Sequence, residues 1–287
     1  MFIDIIKSVV YGIVEGITEW LPISSTGHLI ILEKLLPFSN MSEEFIKVFN
    51  VVIQLGAILA IILLFFKKIW PLKKDTEDGK KKIAFDKDIL SLWLKIIIAC
   101  IPAAIVGIPF DDFFEAHFHK PIPIAIALIL VGIIFIFVEI WNSKRKLDKK
   151  EIKETLKDIT IKDAIIIGLF QVIAAIFPGV SRSGATIIGA LILGLTRANA
   201  AEFTFCLAIP TMFGASLLKL IKIGFNFTFS EGILLLVAMA VAFITSIAVI
   251  KFILNYVKTH DFKPIAYYRI ALGIVIIILS ITTNILV

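Results

Sequence analysis

The sequence predicts an all-α polytopic membrane protein, and three observations support this fold class. Hydrophobic residues make up 59% of the 287 residues and charged residues only 18%, a composition that soluble domains do not have. Apolar segments as long as a membrane-spanning helix recur along the whole chain. Two similar polar motifs interrupt apolar segments, one in each half of the sequence.

Ten apolar segments are predicted to form membrane helices or parts of them. Six are uninterrupted and reach the roughly 20 residues that a bilayer requires: 45–66, 89–110, 122–141, 200–223, 232–257 and 264–286. The remaining four form two pairs, 2–21 with 24–37 and 161–177 with 183–196, each broken near a proline. Because the second member of each pair is too short to span, we expect two re-entrant helical hairpins.

Two basic clusters orient the predicted helices. Residues 67–82 and 142–160 hold 14 of the 29 Lys and Arg residues. Such clusters can bind nucleic acid, but in so apolar a chain the positive-inside rule explains them, and no nucleic-acid partner is expected. We therefore assign both loops to the cytoplasm, which places the acidic stretch 111–115 and both termini outside.

This orientation makes the two hairpins enter the membrane from opposite sides. Hairpin 2–37 enters from outside and hairpin 161–196 from inside, which is the pattern of an inverted-topology repeat. The predicted repeats are 1–141 and 161–287, joined by the basic linker 142–160, with the hairpin tips meeting near the membrane midplane. In the last two helices, the basic residues predicted to lie near the inner face are Lys251, Lys258, Lys263 and Arg269.

The two interrupted segments share a sequence pattern. Aligned on their prolines, each has a glycine ten residues before, a Glu or Gln seven before and a serine three after: Gly12, Glu15, Pro22 and Ser25, and Gly168, Gln171, Pro178 and Ser181. The copies also differ, because Glu19 corresponds to Ala175 and only the second copy contains an arginine, Arg182. A symmetric pore does not require this division, whereas an active site with acid/base groups on one tip and an anion clamp on the other does.

Glu15 and Glu19 are candidate catalytic and metal-binding residues. Their spacing puts both carboxylates on one face of a helix, where like charges repel and burial adds a desolvation cost. A shared proton, a metal ion or a nearby cation would offset that cost, which predicts acid/base chemistry, metal binding or both. The alternative is a structural or proton-coupling pair that faces a water-filled cavity.

The residues after Pro22 open the second helix of the first hairpin. Ser24, Ser25, Thr26 and Gly27 are suited to helix capping, and their exposed backbone N–H groups are suited to binding a phosphate. His28 lies three residues after Ser25, so the two side chains can meet as a nucleophile beside its base. The alternatives are capping alone and a structural histidine.

The second hairpin supplies a parallel set of candidates for substrate binding: Ser181, Arg182, Ser183, Gly184 and Thr186. An arginine in this apolar setting needs an anionic partner, and its planar fork is suited to phosphate. The alternative partner is Glu15 or Glu19 across the repeat interface. Gln54 is a further candidate, although an interhelical hydrogen bond explains it equally well.

Together these motifs resemble those of the bacterial undecaprenyl-diphosphate phosphatases, also called bacitracin-resistance proteins. The resemblance rests on Glu-Gly-Ile-Thr-Glu (15–19), Leu-Pro-Ile-Ser-Ser-Thr-Gly-His (21–28) and Pro-Gly-Val-Ser-Arg-Ser-Gly-Ala-Thr (178–186), and it covers nearly the whole chain. It implies hydrolysis of undecaprenyl diphosphate in the bacterial plasma membrane, at a site that opens to the outer face. It also implies a divalent cation, Mg²⁺ or Ca²⁺, and the catalytic residues Glu15, Glu19, Ser25, His28 and Arg182.

Two other functions remain as alternatives. An inverted-repeat transporter of a lipid phosphate or small anion would use broken helices in the same way, but it has no need of Ser25, His28 and Glu19. A phosphatase of the phosphatidic-acid type is disfavoured, because no histidine follows the Ser-Arg motif closely. The sequence leaves the oligomeric state open, with a homodimer among the options.

Overall fold

The computed structural model describes residues 1–39, 41–77, 80–147, 152–224 and 227–282. Helices dominate this part of the chain. They are α1 (Phe2–Thr18), α2 (Ser25–Leu35), α3 (Glu43–Val52), α4 (Gln54–Ile69), α5 (Lys87–Phe118), α6 (Pro121–Leu147), α7 (Ile161–Ile176), α8 (Arg182–Ile192), α9 (Arg197–Ile223), α10 (Phe229–Thr259) and α11 (Lys263–Thr282). A short 3₁₀ turn, Leu156–Asp158, precedes α7.

Six helical segments of the described chain are long and apolar enough to cross a membrane. They are Glu44–Ile69, Lys87–Phe118, Pro121–Arg145, Arg197–Lys222, Phe229–Thr259 and Lys263–Thr282. These are the six uninterrupted segments that the sequence predicts, so the assignment as a multi-pass α-helical membrane protein is confirmed. The first of them is divided at Ile53, where α3 ends and α4 begins.

A small β-hairpin joins α4 to α5 and was not predicted. Strands β1 (Leu72–Glu77) and β2 (Lys80–Phe85) pair antiparallel, with Leu72 opposite Phe85. The sequence predicts 67–82 only as a basic loop, because the helix predictions rest on apolar segments and this stretch is polar. The dipeptide Asp78-Gly79 between the strands is the sequence signal for a hairpin, and it is independent of hydrophobicity.

Two pairs of helices, α1 with α2 and α7 with α8, consist of helices that are each too short to span a membrane. At 1.5 Å per residue, α1 and α7 are each about 25 Å long and α2 and α8 about 16 Å, against a hydrocarbon core of about 30 Å. In the first pair, the ends lie together, because the backbone N–H of Ser39 donates to Asp4 (3.1 Å). In the second pair, Lys153 joins both ends through an ion pair with Asp163 (2.6 Å) and a backbone hydrogen bond to Gly194 (2.9 Å).

Helices from the two halves of the chain pack directly against each other. The most extensive packing joins α6 to α11, α1 to α10 and α5 to α7. Glycines allow the backbones to approach at these contacts, as is usual between membrane helices. Gly12 and Gly16 of α1 face the backbone of α10, and Gly168 of α7 faces the backbone of α5 at Ala99.

The closest approach between a glycine and a neighbouring helix is that of Gly56 in α4 to α10, and it leads to a testable prediction. A Cβ atom on Gly56 would lie 2.1 Å from the carbonyl oxygen of Met239 in α10. We expect Gly56→Ala to lower the free energy of unfolding by about 1–3 kcal/mol through overpacking, measured as a lower melting temperature in detergent. Gly232→Ala is the matched control, since nothing lies within 4 Å of its Cβ position. Equal melting temperatures for the two variants would contradict the prediction.

Candidate active site

Both helix pairs are interrupted by a serine in an unusual backbone conformation. Ser24 and Ser181, at φ 72° and 71°, are the two non-glycine residues with positive φ in the described chain. Each caps the following helix, because its hydroxyl accepts the N–H of Gly27 (3.3 Å) or Gly184 (3.2 Å). Such a conformation costs about 1–3 kcal/mol and tends to occur at functional sites.

The capping serines correct the alignment of the two motifs by one residue. Aligning on the prolines paired Ser25 with Ser181, whereas the caps pair Ser24 with Ser181 and therefore Ser25 with Arg182. The difference arises because Gly179, at φ +95°, adds one residue between the proline and the cap in the second copy. Ser25 and Arg182 thus occupy the same position, the first residue of a short helix.

Glu19 connects these two residues. One of its carboxylate oxygens accepts the hydroxyl of Ser25 (2.8 Å), and the other accepts Nη2 of Arg182 (2.7 Å). Both members of the ion pair are largely buried, and Arg182 also donates to the carbonyl oxygen of Thr204 (3.1 Å). A hydroxyl, a proton acceptor and a cation therefore form one chain of contacts across the two motifs.

His28 has different partners from those that its spacing suggested. Its Nδ1 lies 2.8 Å from the carbonyl oxygen of Ser24, and its Nε2 lies 2.8 Å from the hydroxyl of Tyr268 in α11. The hydroxyl of Ser25 is bonded to Glu19 instead. The first turn of α2 directs the imidazole ring toward Tyr268, so the serine and the histidine face different neighbours.

Arg269 is a central residue whose role was not predicted from the sequence. We predicted only that it lies near the inner face with the other basic residues of the last helices, and the structure shows it completely buried within the protein. It donates to the carbonyl oxygens of Pro22 (2.6 Å), Gly179 (3.0 Å) and Val180 (2.8 Å), which belong to both breaks. Arg269 lies more than one turn inside α11. The two interrupted helix pairs leave backbone carbonyls without intrahelical donors, and Arg269 supplies donors to three of them.

Glu15 and Gln171, which the alignment pairs, are buried without hydrogen-bond partners. Glu15 is 0% exposed and Gln171 3% exposed, and within the described residues neither carboxylate oxygen and neither amide atom has a partner. An unsatisfied buried polar group costs about 1–3 kcal/mol, so each calls for an explanation. A bound ion or ligand at this site would supply the missing partners.

A cavity of about 440 Å³ opens beside these residues. Of the predicted site residues, it is lined by Glu19, Ser24, Ser25, Thr26, Gln54, Ser181 and Arg182. Its lining does not include Glu15, Gly27, His28, Ser183, Gly184 or Thr186. Two of the latter support the lining residues, because Ser183 donates to the carbonyl of Glu19 (3.3 Å) and Thr186 to that of Arg182 (2.9 Å).

Many other residues of the lining are apolar, most of them with small side chains, and we call them the apolar wall. It includes Ala103, Ala104 and Gly107 of α5, Ala174 and Ala175 of α7, and Gly214, Ala215 and Leu218 of α9. Gln171 and Cys100 also line the cavity, and the sequence analysis did not select either one. The pairing of Gln171 with Glu15 was the one sequence signal that pointed to it.

Comparison with known proteins identifies the family. The sequence pattern of the family described as "Bacitracin resistance protein BacA" matches residues 8–275. The chain belongs to the BacA family. Among its BacA relatives, a protein of Enterococcus faecalis named undecaprenyl-diphosphatase is 52% identical over 97% of this chain and 98% of its own length. The family resemblance inferred from the motifs is therefore confirmed.

Other relatives carry the same name. A BacA-family protein of Lachnoclostridium phytofermentans, also named undecaprenyl-diphosphatase, is 54% identical over 96% of both chains. A protein of Clostridium acetobutylicum named undecaprenyl-diphosphatase 1 is 51% identical over 96% of this chain and 97% of its own length. The similarity thus extends over both helix pairs and all six membrane-spanning segments.

Proposed function

We propose that this BacA-family protein is a membrane phosphatase that hydrolyses undecaprenyl diphosphate to undecaprenyl phosphate and inorganic phosphate. The names of its relatives give the substrate. The observation that carries the proposal is the placement of Glu19 between the hydroxyl of Ser25 and the guanidinium of Arg182, at the wall of a cavity. The product would be the lipid carrier for cell-wall polymers, and its regeneration would give bacitracin resistance.

The cavity can accommodate both chemical parts of this substrate. The diphosphate would lie between the starts of α2 and α8, where helix N-termini favour anions. There Arg182 would exchange Glu19 for a phosphate oxygen, since its planar fork binds either group. The isoprenoid chain would lie along the apolar wall, where Ala104, Gly107 and Leu218 offer no polar groups.

Ser25 is the preferred nucleophile. Its oxygen would attack the terminal phosphorus while Glu19 accepts the hydroxyl proton, and the bond from phosphorus to the bridging oxygen would break to release undecaprenyl phosphate. Water would then hydrolyse the phosphoserine, restoring the Ser25 hydroxyl and releasing phosphate. Arg182 and the N–H groups at the start of α8 would stabilise charge on the transferred group, and catalysis would depend mainly on positioning and electrostatics.

Direct attack by an activated water is the competing route. Glu19 would then take its proton from water, and Ser25 would only position the phosphate. Trapping a phosphoserine at Ser25 supports the covalent route. Transfer of solvent oxygen with a single inversion at phosphorus supports direct attack.

The residues present also fit a divalent cation such as Mg²⁺ or Ca²⁺. Glu15 has two unpartnered oxygens, and Mg²⁺ often binds through one or two carboxylates together with substrate phosphates. The described residues contain no group of three or more His, Cys, Asp or Glu side chains suited to a metal. Glu19, which lines the cavity, and the buried Glu15, one helical turn before it, would therefore hold the ion only together with the diphosphate. The ion would neutralise charge that develops on the transferred phosphoryl group.

We further propose that the two helix pairs are re-entrant hairpins of an inverted repeat, with the site open to the outer face. Ion pairs between distant segments support the predicted arrangement of the loops, because each pair joins two segments assigned to the same side of the membrane. Lys157 pairs with Asp88 (2.7 Å) at the end assigned to the cytoplasm, and Lys219 pairs with Glu115 (2.6 Å) at the opposite end. The cavity lining reaches Asp111, in the acidic stretch predicted to be outside.

The proposed function is tested by phosphate release. Purified protein in detergent, supplied with a long-chain isoprenyl diphosphate and Mg²⁺ or Ca²⁺, is expected to release phosphate, and a chelator is expected to stop it. Folded protein that releases no phosphate with any divalent cation would contradict the proposal. The remaining function for the site would then be anion binding in a transporter.

A further inference from the structure

Gln171 is a polar residue of the cavity wall that the proposed chemistry does not use. Its side chain is 3% exposed and lines the cavity, and neither amide atom has a hydrogen-bond partner within the described residues. An unsatisfied buried amide lowers the stability of a folded protein. A ligand that enters the cavity would provide the missing partners.

The amide group of Gln171 indicates which part of a ligand would satisfy it. Ala174 and Ala175 lie three and four residues later on the same face of α7 and line the apolar wall. Ser181 and Arg182, on the polar side, follow after the break. Gln171 therefore shares its helix face with apolar residues, but its amide needs a hydrogen-bonding partner. The isoprenoid chain has no hydrogen-bonding group, and the diphosphate is the part of the substrate that has one.

We propose that the amide of Gln171 binds the diphosphate of the lipid substrate, an inference that rests on the proposed function. The amide N–H₂ donates to a phosphate oxygen, a contact that favours an anionic ligand without adding charge. A neutral donor also leaves the Glu19–Arg182 ion pair undisturbed in the ligand-free protein. A glutamine at this position, where the first copy has Glu15, avoids a third carboxylate beside Glu15 and Glu19 that would repel the diphosphate.

The test compares Gln171→Met and Gln171→Glu with the unmodified protein. Met has nearly the shape of Gln but no hydrogen-bonding group to satisfy, so Gln171→Met should melt at a higher temperature without substrate. Its KM for a long-chain isoprenyl diphosphate should rise about tenfold, with a smaller change in kcat. Gln171→Glu should raise KM further, because its charge repels the diphosphate.

Binding is measured independently by equilibrium dialysis with labelled farnesyl diphosphate. Both variants are expected to bind it more weakly than the unmodified protein. If the unmodified protein neither binds farnesyl diphosphate nor releases phosphate, the proposed function fails and this inference fails with it. If the unmodified protein is active and Gln171→Met has the same KM and binding, only the role of Gln171 is overturned.

Ser8→Ala is the matched control. Ser8 is also fully buried with an unpartnered side-chain oxygen, but it does not line the cavity. Its replacement should raise the melting temperature and leave KM unchanged. A similar rise in KM for Ser8→Ala would assign the effect of Gln171→Met to general repacking and overturn the inference.

Discussion

Phosphate release is expected to fall by about 10³-fold or more when Arg182 is replaced by glutamine, because arginines that stabilise a transferred phosphoryl group are typically worth 10³–10⁵ in kcat. The variant should also melt at a lower temperature. Removing one member of a largely buried ion pair leaves the other, Glu19, without its counter-charge, at a cost of about 3–5 kcal/mol. Activity per folded molecule, measured beside the melting temperature, separates the two effects.

A second substitution distinguishes catalysis from folding. Glu19→Gln combined with Arg182→Gln removes both charges, so stability should recover while activity stays absent. Arg197→Gln is the matched control, since Arg197 forms a similar pair with the fully buried Glu139 (Nε to Oε1, 2.9 Å) away from the cavity. It should lower the melting temperature without lowering activity per folded molecule. Activity that recovers with stability in the double variant would exclude a chemical role for Arg182.

Replacing Arg269 with glutamine is expected to lower kcat by about 100-fold, the loss that a misplacement of about 1 Å causes at an active site. Arg269 does not line the cavity, so it acts as a positioning residue: it holds the carbonyls of Pro22, Gly179 and Val180 in both breaks. The KM for the lipid diphosphate should change much less than kcat. Arg269→Lys, which retains one charged donor, should be intermediate.

The control for Arg269 is Arg145→Gln. Arg145 also donates to a backbone carbonyl, that of Ile192 at the end of α8 (2.8 Å), but it lies outside the cavity lining. Its loss should leave kcat unchanged. If Arg269→Gln lowers only the melting temperature, with kcat per folded molecule intact, the positioning role is wrong.

The positions of the helices could be predicted from the sequence because the bilayer imposes a simple length rule. The six membrane-spanning segments and the two short interrupted pairs follow from counting apolar residues. The contact between Glu19 and Arg182 was also one of the two alternatives weighed for that arginine, since a charge in an apolar setting needs a counter-charge.

Details that depend on tertiary contacts could not be predicted. Because Gly179 has a positive φ and adds one residue to the second break, the capping serines lie two residues after Pro22 but three after Pro178. The sequence alone does not show at which position such an extra residue is accommodated.

In the sequence, Arg269 is one of several basic residues near a helix end. Only the tertiary structure shows that both helix breaks lie beside it. The partners of His28 likewise depend on where α11 brings Tyr268.

The contact between Glu19 and Arg182 has a consequence for biosynthesis. The two residues are 163 positions apart, so at about 5–20 residues per second the ribosome reaches the arginine about 8–30 s after the glutamate. Arg269, which holds the first break, is translated later still. During this interval Glu19 lacks Arg182 and the carbonyl oxygen of Pro22 lacks Arg269, so the contacts that hold the first helix pair in its final position can form only after most of the chain has been inserted. The N-terminal segment is therefore synthesised first, but it completes its contacts only after Arg269 in the last helix has been inserted.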